Sequence, residues 1–290
     1  MNARTGTARP LPIVALVVLA LAGCGGGGGD PAPVASDPNA VLGASQTVTG
    51  GSSARTAKEC LDPQTLRSGR VVRRQTRGPG GAIGEATTTV VGAVVRGGRT
   101  MTQVRADVLP NPTGAQAYAL QQLAGDDLLA LGFGSAVVDA SGRTVTVEGL
   151  MSQGVPTGFS LPVGGSASYG PVTVVASMRV GGGAPTEQTT TALFTVRFVG
   201  FETIDLPAGR FVDACRIETR STESGTTTTV TDWYANGTGA LLKSRANDGS
   251  ETVVTALSID GRLLAGQFVT VASGAGAGSS SGAGTGGAKR

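Results

Sequence analysis

Apolar and polar residues alternate with a period of two through the middle of the chain. In the segment LFTVRFVGF, Phe194, Val196 and Phe198 fall on one face of an extended backbone, and Thr195 and Arg197 fall on the other. Three further segments repeat this alternation, at residues 172–180, 211–220 and 253–259. All of them are rich in Val and Thr, whose branched Cβ atoms suit a pleated sheet. The pattern therefore predicts β-strands.

Turn-forming dipeptides separate the apolar segments at the spacing of β-hairpins. They are Gly97-Gly98, Ser141-Gly142, Ser224-Gly225, Asp248-Gly249 and Asp260-Gly261. Consecutive hairpins predict an all-β domain, mainly antiparallel, in which about ten or more strands form a meander. So many strands must curl into a barrel, a half-barrel or a sandwich, because a long flat sheet would leave its edges and one face uncovered.

Residues 115–131 allow two interpretations. The segment AQAYALQQLAGDDLLAL consists of strong helix formers, and a helix here could plug the mouth of a half-barrel. Alternatively, the segment forms two strands that are joined by a turn at Gly125-Asp126. We favour the two strands.

The amino terminus has the features of an export signal. Residues 1–10 contain Arg4 and Arg9 and no acidic residue, and residues 11–23 are almost wholly apolar. An apolar helix of that length spans about 20 Å, short of a hydrocarbon core of about 30 Å, which is typical of a secretory signal peptide and not of a membrane span.

The signal ends in the sequence LAGC at Cys24, which resembles the lipobox of bacterial lipoproteins. The resemblance implies cleavage before Cys24, a diacylglyceryl thioether on its thiol and a fatty acid such as palmitate on its new amino group. By analogy with lipoprotein sorting in enteric bacteria, Gly25 in the next position favours the outer membrane, with the protein facing the periplasm. Two or three acyl chains anchor a protein stably where one would not.

Composition divides the chain into four parts. We expect a signal peptide at residues 1–23, a Gly-, Pro- and Ser-rich tether at 24–55, a single β-domain at 56–273 and a disordered tail at 274–290. Removal of the signal peptide takes two arginines and leaves 21 of the 23 basic residues against 20 acidic ones. This balance argues against nucleic acid as a partner.

The three cysteines predict one disulfide. If Cys24 carries lipid, Cys60 and Cys215 remain as an even pair in an oxidising compartment. A bond between them would tie the start of the domain to a late strand. The alternative is that both are separate buried thiols.

Two motifs near the end of the domain carry a family resemblance. The sequence PAGRF begins at Pro207, and WYANGTGALLK begins at Trp233. This arrangement resembles a widespread family of uncharacterised periplasmic and outer-membrane lipoproteins whose fold is similar to that of LolA, LolB and LppX. The resemblance implies an incomplete, strongly curved antiparallel barrel, often with a helical plug, and it brings no catalytic residues with it.

The motif residues also suit structural roles. Pro207 fixes a backbone angle for a tight corner between strands. Trp233 and Tyr234 are adjacent and so point to opposite faces of a strand, which would place one of them in the core. Gly237 and Gly239 would permit a bend before the next strand.

Catalytic chemistry is sparse in this sequence. The chain contains no histidine, which excludes Ser-His-Asp and Cys-His catalysis as well as histidine-ligated metals. We expect no cofactor and no metal. The acidic residues available for a hydrolase with paired carboxylates are Asp126, Asp127, Asp139, Glu148 and Asp232.

Five arginines crowd a short segment at the start of the domain: Arg67, Arg70, Arg73, Arg74 and Arg77. They could face a membrane, where each charge near anionic headgroups contributes about 1 kcal/mol. Alternatively, they form a solvated strand face or edge.

The sequence favours a non-enzymatic, membrane-anchored lipoprotein whose concave face binds an apolar ligand, such as a lipid, or an envelope protein. An apolar cavity larger than about 300 Å³ would support a carrier, and a filled interior would favour a purely structural role. The alternative is a carbohydrate-active hydrolase, which needs two carboxylates in one cleft.

Overall fold

The computed structural model describes residues 55–111, 114–139 and 141–271, which form an all-β domain. Cys24, the signal peptide, most of the tether and the tail at 274–290 lie outside the described residues. The strands are β1 (Val71–Arg77), β2 (Ile83–Arg96), β3 (Arg99–Leu109), β4 (Gln116–Ala124), β5 (Asp127–Val138), β6 (Thr144–Pro156), β7 (Ser166–Val180), β8 (Thr186–Leu206), β9 (Gly209–Glu223), β10 (Thr226–Tyr234), β11 (Leu241–Ala246), β12 (Glu251–Ile259) and β13 (Arg262–Gly266).

The strands form one antiparallel sheet that closes on itself. Each strand pairs with its neighbour in the chain, and β1 also pairs with β12, from Val72 opposite Ile259 to Arg77 opposite Val253. The other edge of β12 is shared, because β11 pairs with its first residues and β13 with its last. Twelve strands thus make a closed barrel. On the same edge of β12, β13 continues the sheet past the end of the pairing with β11.

The expectation of an incomplete barrel is therefore wrong, although the all-β class is confirmed. The physical reason is the β1–β12 ladder, which satisfies the backbone groups that an open half-barrel would leave at its two edges.

The predicted hairpin turns are present. All five dipeptides lie between consecutive strands. In the β9–β10 loop, Ser224 and Gly225 have φ values of 47° and 79°, and Asp260 and Gly261 in the β12–β13 loop have 50° and 80°. Positive φ at both central residues matches the right-handed twist of the flanking strands, which explains the preference for glycine in the second position.

Residues 115–131 form strands β4 and β5 with a turn at Gly125-Asp126, as we favoured. Within residues 55–271 as described, the helical elements are short 3₁₀ turns at Ala57–Cys60 and Pro79–Gly81, so the helical plug is not present there. The sequence of β4 does not show a clear alternation of apolar and polar residues, because both faces of the strand are covered in the barrel. Leu120 is fully buried on one face, while Ala119 and Gln121 line the interior on the other.

A segment from the start of the domain fills part of the barrel interior instead. Ala57 donates a backbone hydrogen bond to the Leu161 carbonyl at 3.0 Å, which joins this segment to the loop at residues 157–165. Phe159 and Leu161 in that loop pack with Val196 and Phe198 on β8. Residues that alternate with these inner positions lie on the outer face, where Leu193 is 54% accessible.

A disulfide fixes this segment in place. Cys60 in the first 3₁₀ turn is bonded to Cys215 on β9, with their Cα atoms 6.1 Å apart. The bond expected from the cysteine count is thus present, and both residues are fully buried. Across the described ranges, no helix has the length and apolar character to cross a membrane.

Candidate functional site

A partly enclosed cavity of about 150 Å³ lies inside the barrel. Its walls are the inner faces of β1–β4, the segment before β1 and the region from Tyr234 to Leu241. The lining is mixed. Apolar side chains include Val72, Val90, Val104 and Leu128, and polar ones include Arg70, Arg74, Thr88, Gln121 and Tyr234.

Arg70 is a buried residue that lines this cavity, and its guanidinium is hydrogen-bonded to two other residues. Its Nη1 donates to the carboxylate of Asp62, and its Nη2 donates to the Thr238 carbonyl at 2.9 Å. Its Nε is buried without a hydrogen-bond partner in the described structure. The charge of Arg70 is therefore compensated, and one of its donors is left unused.

Arg74 lies on the inner face of β1, opposite Ala86 of β2 and Leu257 of β12. Its side chain lines the cavity, and only 7% of the residue is accessible. Nη1 reaches the Leu241 carbonyl at 3.4 Å, and no carboxylate in the described part of the chain lies within 4 Å of the guanidinium. Burial lowers the pKa of Arg74 from its ordinary value. An unpaired buried charge costs stability.

Asp232 and Tyr234 lie on β10, where their side chains share the inward-facing side. The Tyr234 hydroxyl is 3.5 Å from Asp232 Oδ2, and Asp232 Oδ1 is buried without a partner in the described structure. Burial raises the pKa of Asp232 to about 6, although hydrogen bonds from Ser244 and Tyr234 and the charge of Arg74 oppose the shift. Burial also raises the pKa of Tyr234.

The raised pKa of Asp232 predicts a pH-dependent cost. Between about pH 4 and pH 6 the folded protein holds a proton on Asp232 that the unfolded chain has released, so stability falls as pH rises through this window. Asp232→Asn removes this contribution. We expect the free energy of unfolding of the variant minus that of the parent to rise by about 3 kcal/mol from pH 4 to pH 7, as measured by urea unfolding at each pH. A difference that does not change with pH would contradict the assignment.

The structure separates the five arginines of the basic segment. Arg70 and Arg74 face the barrel interior, so the membrane-facing role does not hold for these two. Arg67, Arg73 and Arg77 are exposed, and their contact with a membrane stays a prediction. The alternation of β1 is the reason, since Arg74 points inward while Arg73 points outward and pairs with Glu85 at 2.6 Å.

The candidate acids have separate surroundings. Asp126 pairs with Lys58 at 2.8 Å on the surface, and Asp139 accepts bonds from Ser141 and Arg143 in its own turn. Glu148 accepts a hydrogen bond from the Tyr118 hydroxyl.

Asp127 holds the interior loop that follows β6. It accepts backbone hydrogen bonds from Gly158 at 3.0 Å, Phe159 at 3.1 Å and Ser160 at 3.3 Å, and one from the Ser160 hydroxyl at 2.8 Å. Burial nevertheless raises its pKa. These bonds occupy both carboxylate oxygens, which gives Asp127 a structural role.

Trp233 and Tyr234 point to opposite faces of β10, as predicted. Tyr234 lines the cavity and packs edge-to-face on Phe159, with ring centres 5.1 Å apart. Trp233 is opposite Arg216 and Lys243, donates to Glu202 and lies 4.9 Å from the Lys243 amine, so charged side chains cover it on the outer face. Only 3% of Trp233 is accessible.

The glycines of the same motif hold the interior segment. Gly237 and Gly239 have positive φ, and their N–H groups donate to the carbonyls of Glu59 and Cys60 at 2.8 Å and 2.7 Å. The motif thus shapes one wall of the cavity. The sequence pattern does not mark Arg70 and Arg74 as interior residues, because each face of β1 begins with a valine and continues with an arginine. No cluster of metal-ligating side chains is found among the described residues.

Comparisons with known proteins add little to this geometry. No protein-family model and no curated protein matches the chain. One similar solved structure, from Bacteroides fragilis NCTC 9343, is described as an exported protein with a YmcC-like fold. It is 15% identical, with a TM-score of 0.32, and covers 66% of this chain and 96% of its own. Another, described as a lipoprotein of Parabacteroides distasonis ATCC 8503, is 12% identical, with a TM-score of 0.29, and covers 67% and 96%.

Similarity at this level establishes neither a shared fold nor a shared function. The resemblance to the LolA, LolB and LppX group also finds no support in these comparisons.

Proposed function

We propose that this protein is a non-catalytic, lipid-anchored envelope protein whose barrel binds a small molecule in its interior. The observation that carries the proposal is the cavity of about 150 Å³, whose lining joins apolar walls to buried polar groups. Binding sites for small molecules combine these two features.

The size of the cavity limits the size of the ligand that can bind. About 150 Å³ is half of the volume that we set for a lipid carrier, and a cavity of that size accommodates a molecule such as benzene. The closed barrel also has no open concave face for an acyl chain. The proposed ligand is therefore much smaller than a membrane lipid.

The proposed location rests on two features. The lipobox-like sequence at Cys24 would anchor the chain in the outer membrane, facing the periplasm. The disulfide between Cys60 and Cys215 fits an oxidising compartment and would be rare in the cytosol.

The proposal that the protein is not an enzyme rests on the partners that four of the five candidate acids have, which leaves Asp232 as the candidate with an unpartnered oxygen in the described structure. Asp126 and Asp139 have partners at the surface, and Asp127 is occupied by backbone donors. A hydrolase would need two carboxylates that converge on a substrate.

A cavity-filling variant tests ligand binding. Val104 lines the cavity on β3, so Val104→Phe places a ring in the space that a ligand would use. Val95→Phe on β2 is the matched control, since Val95 is 63% accessible. The experiment uses the full chain carrying Cys24→Ser, which avoids detergent, with benzene as the probe and NMR chemical shifts as the readout.

We expect benzene to shift signals of cavity residues in the parent chain and in Val95→Phe, and to leave Val104→Phe unaffected. Ala119→Val, a smaller change in the same wall, is the substitute if the phenylalanine variant does not fold. Absence of binding to the parent chain would overturn the proposal and favour a purely structural role. Equal binding by the parent and the filled variants would also overturn it.

A further inference from the structure

We propose that the cavity binds a small organic carboxylate, held by the Arg74 guanidinium, with a short apolar body against Val90 and Val104. This inference rests on the proposed function and names its ligand class.

The two arginines of the cavity differ in whether a carboxylate is paired with the guanidinium. Arg70 is paired with Asp62, whereas Arg74 has no carboxylate within 4 Å in the described ranges. Asp232 is the acid whose charge acts on Arg74, but its Oδ2 is directed to the Tyr234 hydroxyl and not to the guanidinium. The donors of Arg74 are thus free for an anion, apart from the one near the Leu241 carbonyl.

The unused donors define the shape of the anionic group. A guanidinium presents parallel N–H donors in a plane, and a carboxylate accepts two of them at once. A single arginine without a carboxylate within 4 Å in the described ranges suits a ligand with one negative charge.

The apolar part of the lining favours an organic ligand over an inorganic ion. Val72, Val90, Val104 and Leu128 form apolar walls that would not solvate a small bare anion. These walls leave room for a hydrocarbon body of about the size of benzene. A butyrate molecule meets both requirements.

Calorimetric titration with butyrate and with its neutral isostere butyramide tests the inference, in the full chain carrying Cys24→Ser. We expect butyrate to bind at least about tenfold more tightly than butyramide, since hydrogen bonds to charged groups are the stronger ones. Arg74→Met should weaken butyrate binding at least about tenfold and leave butyramide binding unchanged. Arg73→Met, the adjacent arginine on the outer face, is the matched control and should change neither.

Equal affinity for the two probes would overturn the inference, as would butyrate binding that survives Arg74→Met or falls equally in Arg73→Met. Circular dichroism checks folding, and Arg74→Lys is the second variant. It keeps the charge but not the fork of donors, so it should bind butyrate less tightly than the parent chain. If benzene binds and butyrate does not, the carboxylate site fails and the proposed function survives. If neither binds, both fail.

Discussion

Loss of the disulfide between Cys60 and Cys215 is expected to remove about 5 kcal/mol of stability as an upper figure, because the bond closes a loop of 155 residues. Folded domains have a total stability of about 5–15 kcal/mol, so a loss of that size would remove about a third or more of it. The double variant Cys60→Ala/Cys215→Ala should therefore unfold at a much lower urea concentration than the parent chain. The measurement is urea unfolding followed by circular dichroism, with and without reductant.

Two comparisons separate the stability that the disulfide bond contributes from the stability that packing of the two cysteine side chains contributes. Reductant should lower the unfolding midpoint of the parent chain toward that of the double variant and should leave the variant itself unchanged. Cys24→Ser serves as the control, because Cys24 lies outside the described barrel and its loss should not move the midpoint. An unchanged midpoint for the fully reduced parent chain would show that the bond contributes nothing.

Cys24→Ser is expected to release the protein from the membrane fraction, either as a soluble chain or as an uncleaved precursor. The serine has no thiol on which a thioether can form. Each buried methylene contributes about 0.8 kcal/mol to anchoring, so loss of the acyl chains removes the whole anchor. Membrane fractionation and mass spectrometry of the mature protein provide the measurement.

Gly25→Ser is the control for the anchor, since it alters the neighbouring residue and keeps the thiol at Cys24. It should stay in the membrane fraction with the mass of acylated protein. An unchanged membrane fraction for Cys24→Ser, with no lipid mass on the parent chain, would refute the assignment of Cys24 as the lipidated residue.

The sequence predicted the local structure of the barrel well. Alternation at Phe194, Val196 and Phe198 and the turn at Ser224-Gly225 depend on neighbouring residues only, and both are confirmed. The fold class followed from such signals. The cysteine pair was predictable because only two thiols remained after Cys24.

Closure was not predictable, because it depends on contacts between residues far apart in the chain. Val72 lies opposite Ile259, and nothing near either residue indicates the other. A resemblance in two short motifs suggested a half-barrel instead. Those motifs describe a corner and a bend, which an open sheet and a closed one can share.

The site was obscured by the composition of β1. In the sequence VVRRQTR, both faces begin with a valine and continue with an arginine, so alternation alone does not distinguish inside from outside. Closure of the barrel decides it, because Arg74 then lies opposite Leu257 of β12 with its side chain against the cavity. The cavity itself is a property of the closed barrel, and no single segment encodes it.

The ladder between β1 and β12 also sets an order of events during folding. A ribosome produces β1 long before β12, and every other pairing in the meander joins strands that emerge one after the other. The backbone groups on one edge of β1 therefore have no native partner until the residues up to Ile259 are available for pairing. Arg73 and Arg77 are exposed on this waiting strand, and charged side chains on an unpaired edge oppose its pairing with another molecule.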